Sequence, residues 1–419
     1  MTKQVELSYH QESWLRHISE DISGYNIPGV ALVSGTLNKK KLQSSVNKVI
    51  SNTDIMRSYF VKNDQQFECH IKDKIDYCIE HIDASKFSDE QVSSEILELQ
   101  HHKFNLEEPP LFKIKILTIN ESKHLFCGSC HHLINDAIGA TIFARNIVAA
   151  YYDINRDYEG EISYQFSDFL KEQQLYLDGQ LYQRKNFWKK IHDFEPLTIR
   201  ESPHKAAQNS ISDMVSTKIS IEKLQPTREI RSNLVTTQFI LGFILTGKSN
   251  TYIATPITER ITKQQRNCIG FASGPMMIAM RITNNITIHQ IKTNLNRELE
   301  ENICNYLPQS LIDREGYHKV SINLFDKNFL ADIQPWVDIT YQYMQANSMG
   351  LDIFIQCFKS DNVVEMQIHY DTDLYSNEFM QDYISNFSKI LNILNSNSLN
   401  GNNLIQLQHK LEINTHEVT

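Results

Sequence analysis

Residues 124–152 read HLFCGSCHHLINDAIGATIFARNIVAAYY. The first nine carry the mixed apolar character of a strand, and a short turn follows at 133–135. Beyond it Ile138, Ile142, Phe143, Ile147 and Tyr151 recur near every 3.6 residues, the spacing of an amphipathic helix from about 136 to 152. A strand that feeds a helix through so short a turn needs a sheet for the helix to lie on, so the chain is held to mixed α and β structure. Three polar side chains sit at this junction: His131, His132 and Asp136. Asp136 stands where a helix N-terminus favours a carboxylate. Adjacent strand residues point to opposite faces, so one histidine can face a given cleft while the other is buried or orients its neighbour.

Several chemistries use such residues. A histidine titrates near neutrality and can accept a proton from an amine or hydroxyl nucleophile. Asp136 would hold an imidazole, or hold an arginine and so fix the turn. Both histidines could also be satisfied structural groups. Cys127 and Cys130 lie beside them, which raises zinc as a reading. A closed zinc site draws ligands from two separated segments, however, and the expectation here is no metal. A redox C-x-x-C belongs at the start of a helix after a strand. The chain has no G-x-S-x-G elbow, P-loop or G-x-G-x-x-G fingerprint; GFASGP at 270–275 lacks that spacing.

Helical and strand patterns alternate along the rest of the chain. Residues 37–51 place Leu42, Val46, Val49 and Ile50 on one helical face, and 90–103 form a second amphipathic stretch. Strands are expected at 67–80 and at 111–119, where Phe112, Ile114 and Ile116 alternate with Lys113 and Lys115. A polar stretch at 153–168 and one long helix at 168–192 would join two halves. The second half is read as strands at 215–220, 251–255, 319–325, 351–357 and 363–370, with helices at 230–247, 286–303 and 376–394. The division is 1–165, 166–395 and an Asn/Ser/Gly-rich C-terminal tail at 396–419.

The 419 residues suffice for two or three domain-sized units, and 41% hydrophobic with 22% charged residues suits a globular chain. The net charge of -9 argues against nucleic acid as a main partner. No apolar run has the length of a membrane span or the form of a signal peptide; residues 234–247 read as a buried helix. Seven cysteines, an odd number scattered along the chain, fit a reducing cytoplasm.

HHLINDA at 131–137 resembles the H-H-x-x-x-D-G signature of the condensation domains of non-ribosomal peptide synthetases, relatives of chloramphenicol acetyltransferase. LSYHQESWL at 7–15, YNIPG at 25–29, SNTDIMRSYF at 51–60 and FNLEEPPLFKIKIL at 104–117 resemble further segments of that family, in order. So do PITER at 256–260, IGFASGPMMIAMRI at 269–282 and YDTDLYSNEFM at 370–380. GPMMIAMRI and VSINLFDKNF at 320–329 are similar to siderophore-type members, including the free-standing vibriobactin amide synthase.

The resemblance implies an α+β fold of two chloramphenicol-acetyltransferase-like subdomains in a V-shaped pseudodimer with a central channel. It implies transfer of an acyl or aminoacyl group from a carrier-protein phosphopantetheine thioester to an amine, forming an amide. The carrier protein acts in trans and brings the phosphopantetheine arm, the chain binds no cofactor or metal, and the acceptor is a small amine or a carrier-bound amino acid. His132 is the expected catalytic imidazole, with His131 and Asp136 completing the catalytic set. Arg57 and Arg260 are the candidates for holding Asp136. Asn323, Ser273, Gly274 and Ala137 are expected to line the substrate channel; Ala137 replaces the motif's glycine, and Gly274 an asparagine of the family pattern. Neither an adenylation nor a carrier segment is recognised, so the expectation is a free-standing, monomeric cytoplasmic enzyme without nucleic-acid or membrane partners. A partner-recruiting module of the same fold, an acyl-CoA-dependent acyltransferase and an ester-forming variant are the competing readings.

Overall fold

A computed structural model of the chain describes residues 2–17, 25–64, 66–153, 164–200, 212–221, 225–312, 318–326, 351–396 and 403–411. They form α+β structure grouped into two compact units. The first comprises Met1–Gln180 together with Thr258–Ser273, and the second Leu181–Ile257 with the described parts of Gly274–Asn328 and Asn347–Thr419. The segment Thr258–Ser273 thus belongs with the first unit although chain on either side of it belongs to the second. Sequence patterning, which divides the chain after 165 and after 395, carries no signal for such an exchange.

The first unit opens with β1 (Thr2–Val5), α1 (Tyr9–His17), β2 (Asn26–Ser34) and α2 (Lys39–Ser51). Next come β3 (Ser58–Asn63), β4 (Gln66–Lys72), β5 (Glu80–Asp83), α3 (Asp89–Gln100), β6 (Phe112–Asn120) and β7 (Lys123–His131). Helices α4 (Ala137–Tyr151) and α5 (Phe166–Asp178) complete it. A four-stranded sheet runs β2-β7-β6-β5, and a three-stranded sheet runs β1-β4-β3. Alternation along β6 and β7 builds two cores. Phe112, Ile114, Ile116 and Cys130 pack with Val46, Ile50, Ile142 and Phe143 of α2 and α4, whereas Leu117 and Cys127 on the opposite face pack with Ile96 and Leu99 of α3. Asn38 caps α2 by accepting from the Lys41 N–H; Ser88 and Gln91 close a capping box on α3.

The second unit contains α6 (Leu181–Trp188), β8 (Glu195–Pro196), β9 (Ser212–Ser220), α7 (Thr227–Thr246), β10 (Asn250–Thr258), β11 (Ser273–Arg281) and α8 (Ile288–Cys304). It continues with β12 (Val320–Asp326), β13 (Ile353–Lys359), β14 (Val363–Asp371), α9 (Asn377–Ser396) and α10 (Leu404–Leu411). The strands join in the order β11-β10-β12-β13-β14-β9, with β8 paired to β10. Ile322, Ile355 and Ile368 are level with one another and buried, as are Ile240 of α7 and Phe387 of α9. The stretch at 234–247 is indeed a buried helix: it falls in α7 and its Gly247 cap, and Leu234–Gly242 and Ile244 are buried, the polar Thr236, Thr237 and Gln238 among them.

Three expectations need correction. The strand read at 67–80 stops at Lys72, the end of β4, and β5 begins only at Glu80. The single helix at 168–192 is two, α5 and α6, separated at Gly179 and Gln180. The C-terminal tail contains α10, whose Leu404 and Leu407 are buried; residues 397–402 and 412–419 lie outside the described residues. Among the described residues no helix is long and apolar enough to cross a membrane.

Candidate active site

The strand-to-helix junction is built as the sequence suggests, with β7 ending at His131 and a single 3-10 turn, His132–Ile134, leading to α4. His131 is 0% exposed. Its Nδ1 accepts from the Leu133 N–H at 3.2 Å, and its Nε2 is enclosed without a partner. The backbone leaves the strand at the next residue, and His132 turns to a partly exposed position. Its Nδ1 is enclosed and unbonded, which leaves Nε2 as the ring nitrogen within reach of a reactant.

The His132 ring packs against Trp14 and Phe271, each 4.5 Å away between ring centres and themselves 4.9 Å apart, with Phe271 edge-on. This apolar enclosure disfavours the imidazolium. Desolvation pushes the His132 pKa down to about 4, with Asp136 and the residue's own backbone opposing and His10 adding to the fall. Burial and the neighbouring His132 push His131 to about 3. Both rings are therefore neutral at pH 7.

Asp136 is the N-cap of α4, and its Oδ1 accepts from the Gly139 N–H at 2.7 Å. Its Oδ2 accepts from Arg260 Nη1 at 2.8 Å, from the Ala272 N–H at 2.9 Å and from the Ser273 hydroxyl at 2.6 Å. Burial alone would raise this carboxyl, but the Arg260 charge and these hydrogen bonds outweigh it and hold it below the usual range. Arg260 also donates to the carbonyls of Cys268 and Gly270. The carboxylate thus clamps the Thr258–Ser273 segment onto the start of α4. Gly139 and Gly270 permit the close approach: a Cβ on Gly139 would lie 2.0 Å from Asn135 Oδ1 and 3.0 Å from the Gly270 backbone. Gly270 itself has φ +154°, and a Cβ there would strike the Phe166 ring.

Of the two arginine candidates, Arg260 alone reaches Asp136. Arg57 supports a different corner: it pairs with Asp54 and donates to the carbonyls of Ile50, Lys72 and Asp73. Ser273, read from sequence as a channel residue, is an Asp136 ligand. Gly274 is buried beside it, and Ala137 is partly exposed at the first position of α4. Asn323 lies in the second unit, on β12, level with Gln356 of β13 and, through it, Gln367 of β14. The side-chain oxygens of those two glutamines are enclosed without partners.

Sequence reasoning missed the surroundings of His132. Gln11 donates to the Leu133 carbonyl at 2.7 Å and so holds the turn after the histidine pair. His10 pairs with Glu259 behind Phe271, and Glu259 is also hydrogen-bonded by Gln173. His10, Gln11 and Glu259 lie in the segments at 7–15 and 256–260, where motif matching was the available signal. Among the described residues no cluster of His, Cys, Asp and Glu has the arrangement of a metal site. Burial pushes the Cys127 and Cys130 thiols up to about 12, so neither is a nucleophile near neutrality.

A family model described as Condensation domain matches residues 1–410. Surfactin synthase subunit 1 of Bacillus subtilis (strain 168) is 22% identical over 394 residues, covering 88% of this chain and 11% of the synthase. The chain therefore spans about a tenth of that relative's length. Among solved structures, a variant of the starter condensation domain of rhizomide synthetase RzmA in complex with C8-CoA superposes with TM-score 0.80 and 16% identity, over 95% of this chain and 96% of that one. The X-domain in its complex with OxyB from teicoplanin biosynthesis gives TM-score 0.78 and 16% identity, over 97% and 96%.

Proposed function

The chain belongs to the condensation-domain family of non-ribosomal peptide synthesis, whose members form amide bonds, and we propose that it carries out this reaction by acyl transfer at His132. The donor is an acyl or aminoacyl thioester on the phosphopantetheine arm of a carrier protein supplied as a separate chain. The acceptor is an amine, either small and free or borne on a second carrier, as in the vibriobactin type of amide synthase. Attack of the amine nitrogen on the thioester carbonyl forms the C–N bond, the carrier thiolate leaves, and the proton lost by the amine reaches the thiolate.

The observation that carries this reading is the geometry of His132: an imidazole whose one accessible nitrogen is Nε2, packed against the adjoining rings of Trp14 and Phe271. A nitrogen so held accepts a hydrogen bond from the attacking amine and aligns its lone pair. With its pKa near 4 His132 is a weak base, so positioning carries more of the rate than full proton removal. General-base assistance contributes about 10²–10⁴-fold, and juxtaposing two bound reactants can exceed it. The Asp136 N–H is already given to Asn135 Oδ1, which leaves the Ala137 N–H, next in the first turn of α4, to meet the developing oxyanion. Asp136 acts through Arg260 and Ser273 as a positioning residue. His131 supports the turn.

The test mixes the purified chain with a separately loaded carrier protein and a panel of amines, and follows both by intact mass. Loss of the acyl group from the carrier together with amide product supports the reading. Turnover from acyl-CoA alone would redirect it to a coenzyme A-dependent acyltransferase, and an ester product from an alcohol to the ester-forming variant. Co-purification with a partner and no turnover with any donor would make the chain a recruiting module, as the likeness to the X-domain fold suggests.

A further inference from the structure

We propose that His10 and Glu259 form a second proton-accepting pair beside His132, and that the acceptor it serves is an aliphatic amine arriving as an ammonium ion. The inference rests on the acyl-transfer reading above and adds the class of acceptor and the residue that prepares it for attack. His10 and Glu259 lie 249 residues apart in the chain, and the fold brings them together within the first unit, on α1 and on the Thr258–Ser273 segment. Glu259 accepts at both carboxylate oxygens, at Oε1 from His10 Nε2 and at Oε2 from Gln173 Nε2. An ionised carboxylate only accepts, so the proton of that bond sits on His10 Nε2, and Nδ1 of the neutral ring carries the lone pair. Among the described residues Nδ1 has no partner, and the atom is not enclosed.

An imidazole with a carboxylate on one nitrogen and the other nitrogen open has the arrangement of a general base. The carboxylate fixes the tautomer and steadies the imidazolium that forms when the open nitrogen takes a proton. The pair also stands beside the reacting centre. His10 packs on Phe271 at 5.4 Å between ring centres, and His132 packs on the same ring at 4.5 Å. Trp14 follows His10 by four residues and so shares its face of α1; it touches both Phe271 and His132. The two imidazoles thus share one aromatic wall, close enough for a charge on His10 to disfavour protonation of His132. Glu259 faces the His10 ring from the Thr258–Ser273 segment and His132 from the turn after β7, whereas Gln173 of α5, behind Glu259, is uncharged.

An aliphatic amine titrates at about 10.4, as lysine does. Near neutrality it is an ammonium ion, with no lone pair for attack. His132, held at about 4, does not take that proton. His10 Nδ1 takes it: the N–H bond of the ammonium breaks, its electron pair stays on the amine nitrogen, and the imidazolium that forms is paired with the Glu259 carboxylate. The freed amine attacks the thioester carbonyl while in contact with His132. The C–N bond forms, the C–S bond breaks, and the second proton of the amine reaches the thiolate. The imidazolium then returns its proton to water through Nδ1. An ammonium ion and a thioester have become an amide, a thiol and one proton in solution, so atoms and charge balance.

The experiment measures amide formation from one acyl-loaded carrier protein with two nucleophiles: n-propylamine, an ammonium ion at pH 7, and O-methylhydroxylamine, which is neutral there. Wild type, His10→Ala and Glu259→Gln are compared, each with its melting temperature. Both variants are expected to lower kcat/KM for propylamine by about 10²-fold or more, with a loss at least tenfold smaller for O-methylhydroxylamine. As the pH is raised, the propylamine rate of His10→Ala should climb in proportion to the free amine, while that of the wild type stays nearly level. Glu259→Gln, which keeps a hydrogen-bonding amide in place of the carboxylate, carries the comparison if His10→Ala does not fold. Equal losses with the two nucleophiles in a folded variant, or no loss, would overturn the proposal and leave the acyl-transfer reading standing. Turnover of neither nucleophile by the wild type would remove that reading and the proposal with it.

Discussion

Arg260 Nη1 lies 2.8 Å from Asp136 Oδ2, across 124 residues of chain, and the two residues are only 4% and 2% exposed. The Coulomb attraction of such a pair is offset by the desolvation of both ions, so the pair adds little net stability. Its effect is on geometry, since it fixes a segment of the second half of the chain against the helix that follows the histidines.

Removing one partner leaves the other charge buried and unpaired, at about 3–5 kcal/mol. Asp136→Ala and Arg260→Ala are each expected to lose that much stability in urea unfolding. The double variant should lose less than the sum of the two. Additive losses would mean that the residues act independently.

The adjacent histidines should separate stability from rate. His131→Ala deletes an enclosed ring that accepts the Leu133 N–H and is expected to cost about 2 kcal/mol or more. His132→Ala leaves the melting temperature nearly unchanged while lowering kcat. Differential scanning fluorimetry beside steady-state kinetics on the two variants checks this, and the opposite assignment of effects would exchange their roles.

The sign of the pH dependence follows from burial. In the unfolded chain both histidines titrate near 6.5, whereas the fold holds them at about 3 and about 4. Between those values the unfolded state binds more protons, so stability is present above about pH 6.5 and declines as the pH falls through that window. For the same reason kcat/KM should show no acid limb from His132 near 6.5. NMR titration of the His132 Hε1 resonance, with His10 and Glu259 observed beside it, measures this directly.

Gly139 is the test of the close approach. Gly139→Ala places a methyl within 2.0 Å of Asn135 Oδ1 and 3.0 Å of the Gly270 backbone. Overpacking of that order costs about 1–3 kcal/mol, and it should displace the Thr258–Ser273 segment and with it Phe271. Lower stability with a shifted Trp14 fluorescence maximum is the expected signature.

The junction itself was legible in the sequence because local rules govern it: strand character, a short turn, a 3.6-residue period and a carboxylate at the helix N-terminus. The strand and helix patterns of both halves followed the same rules. The partner of Asp136 was legible as a choice of two arginines, since nothing local distinguishes Arg57, three residues from Asp54, from Arg260. The wall formed by Trp14 and Phe271 joins segments more than 250 positions apart in the numbering, and no periodicity encodes that contact. The helix at Leu404–Leu411 escaped notice because it is short and follows directly on a run of asparagine, serine and glycine at 395–403.

The central claim is that the imidazole of His132 serves the acyl transfer. Single-turnover mass spectrometry of an acyl-loaded carrier with an amine, comparing wild type and His132→Ala, measures it most directly. The account predicts amide formation by the wild type and a rate lower by about 10²–10⁴ in the variant, with both proteins equally folded. Equal rates in the two proteins would contradict it.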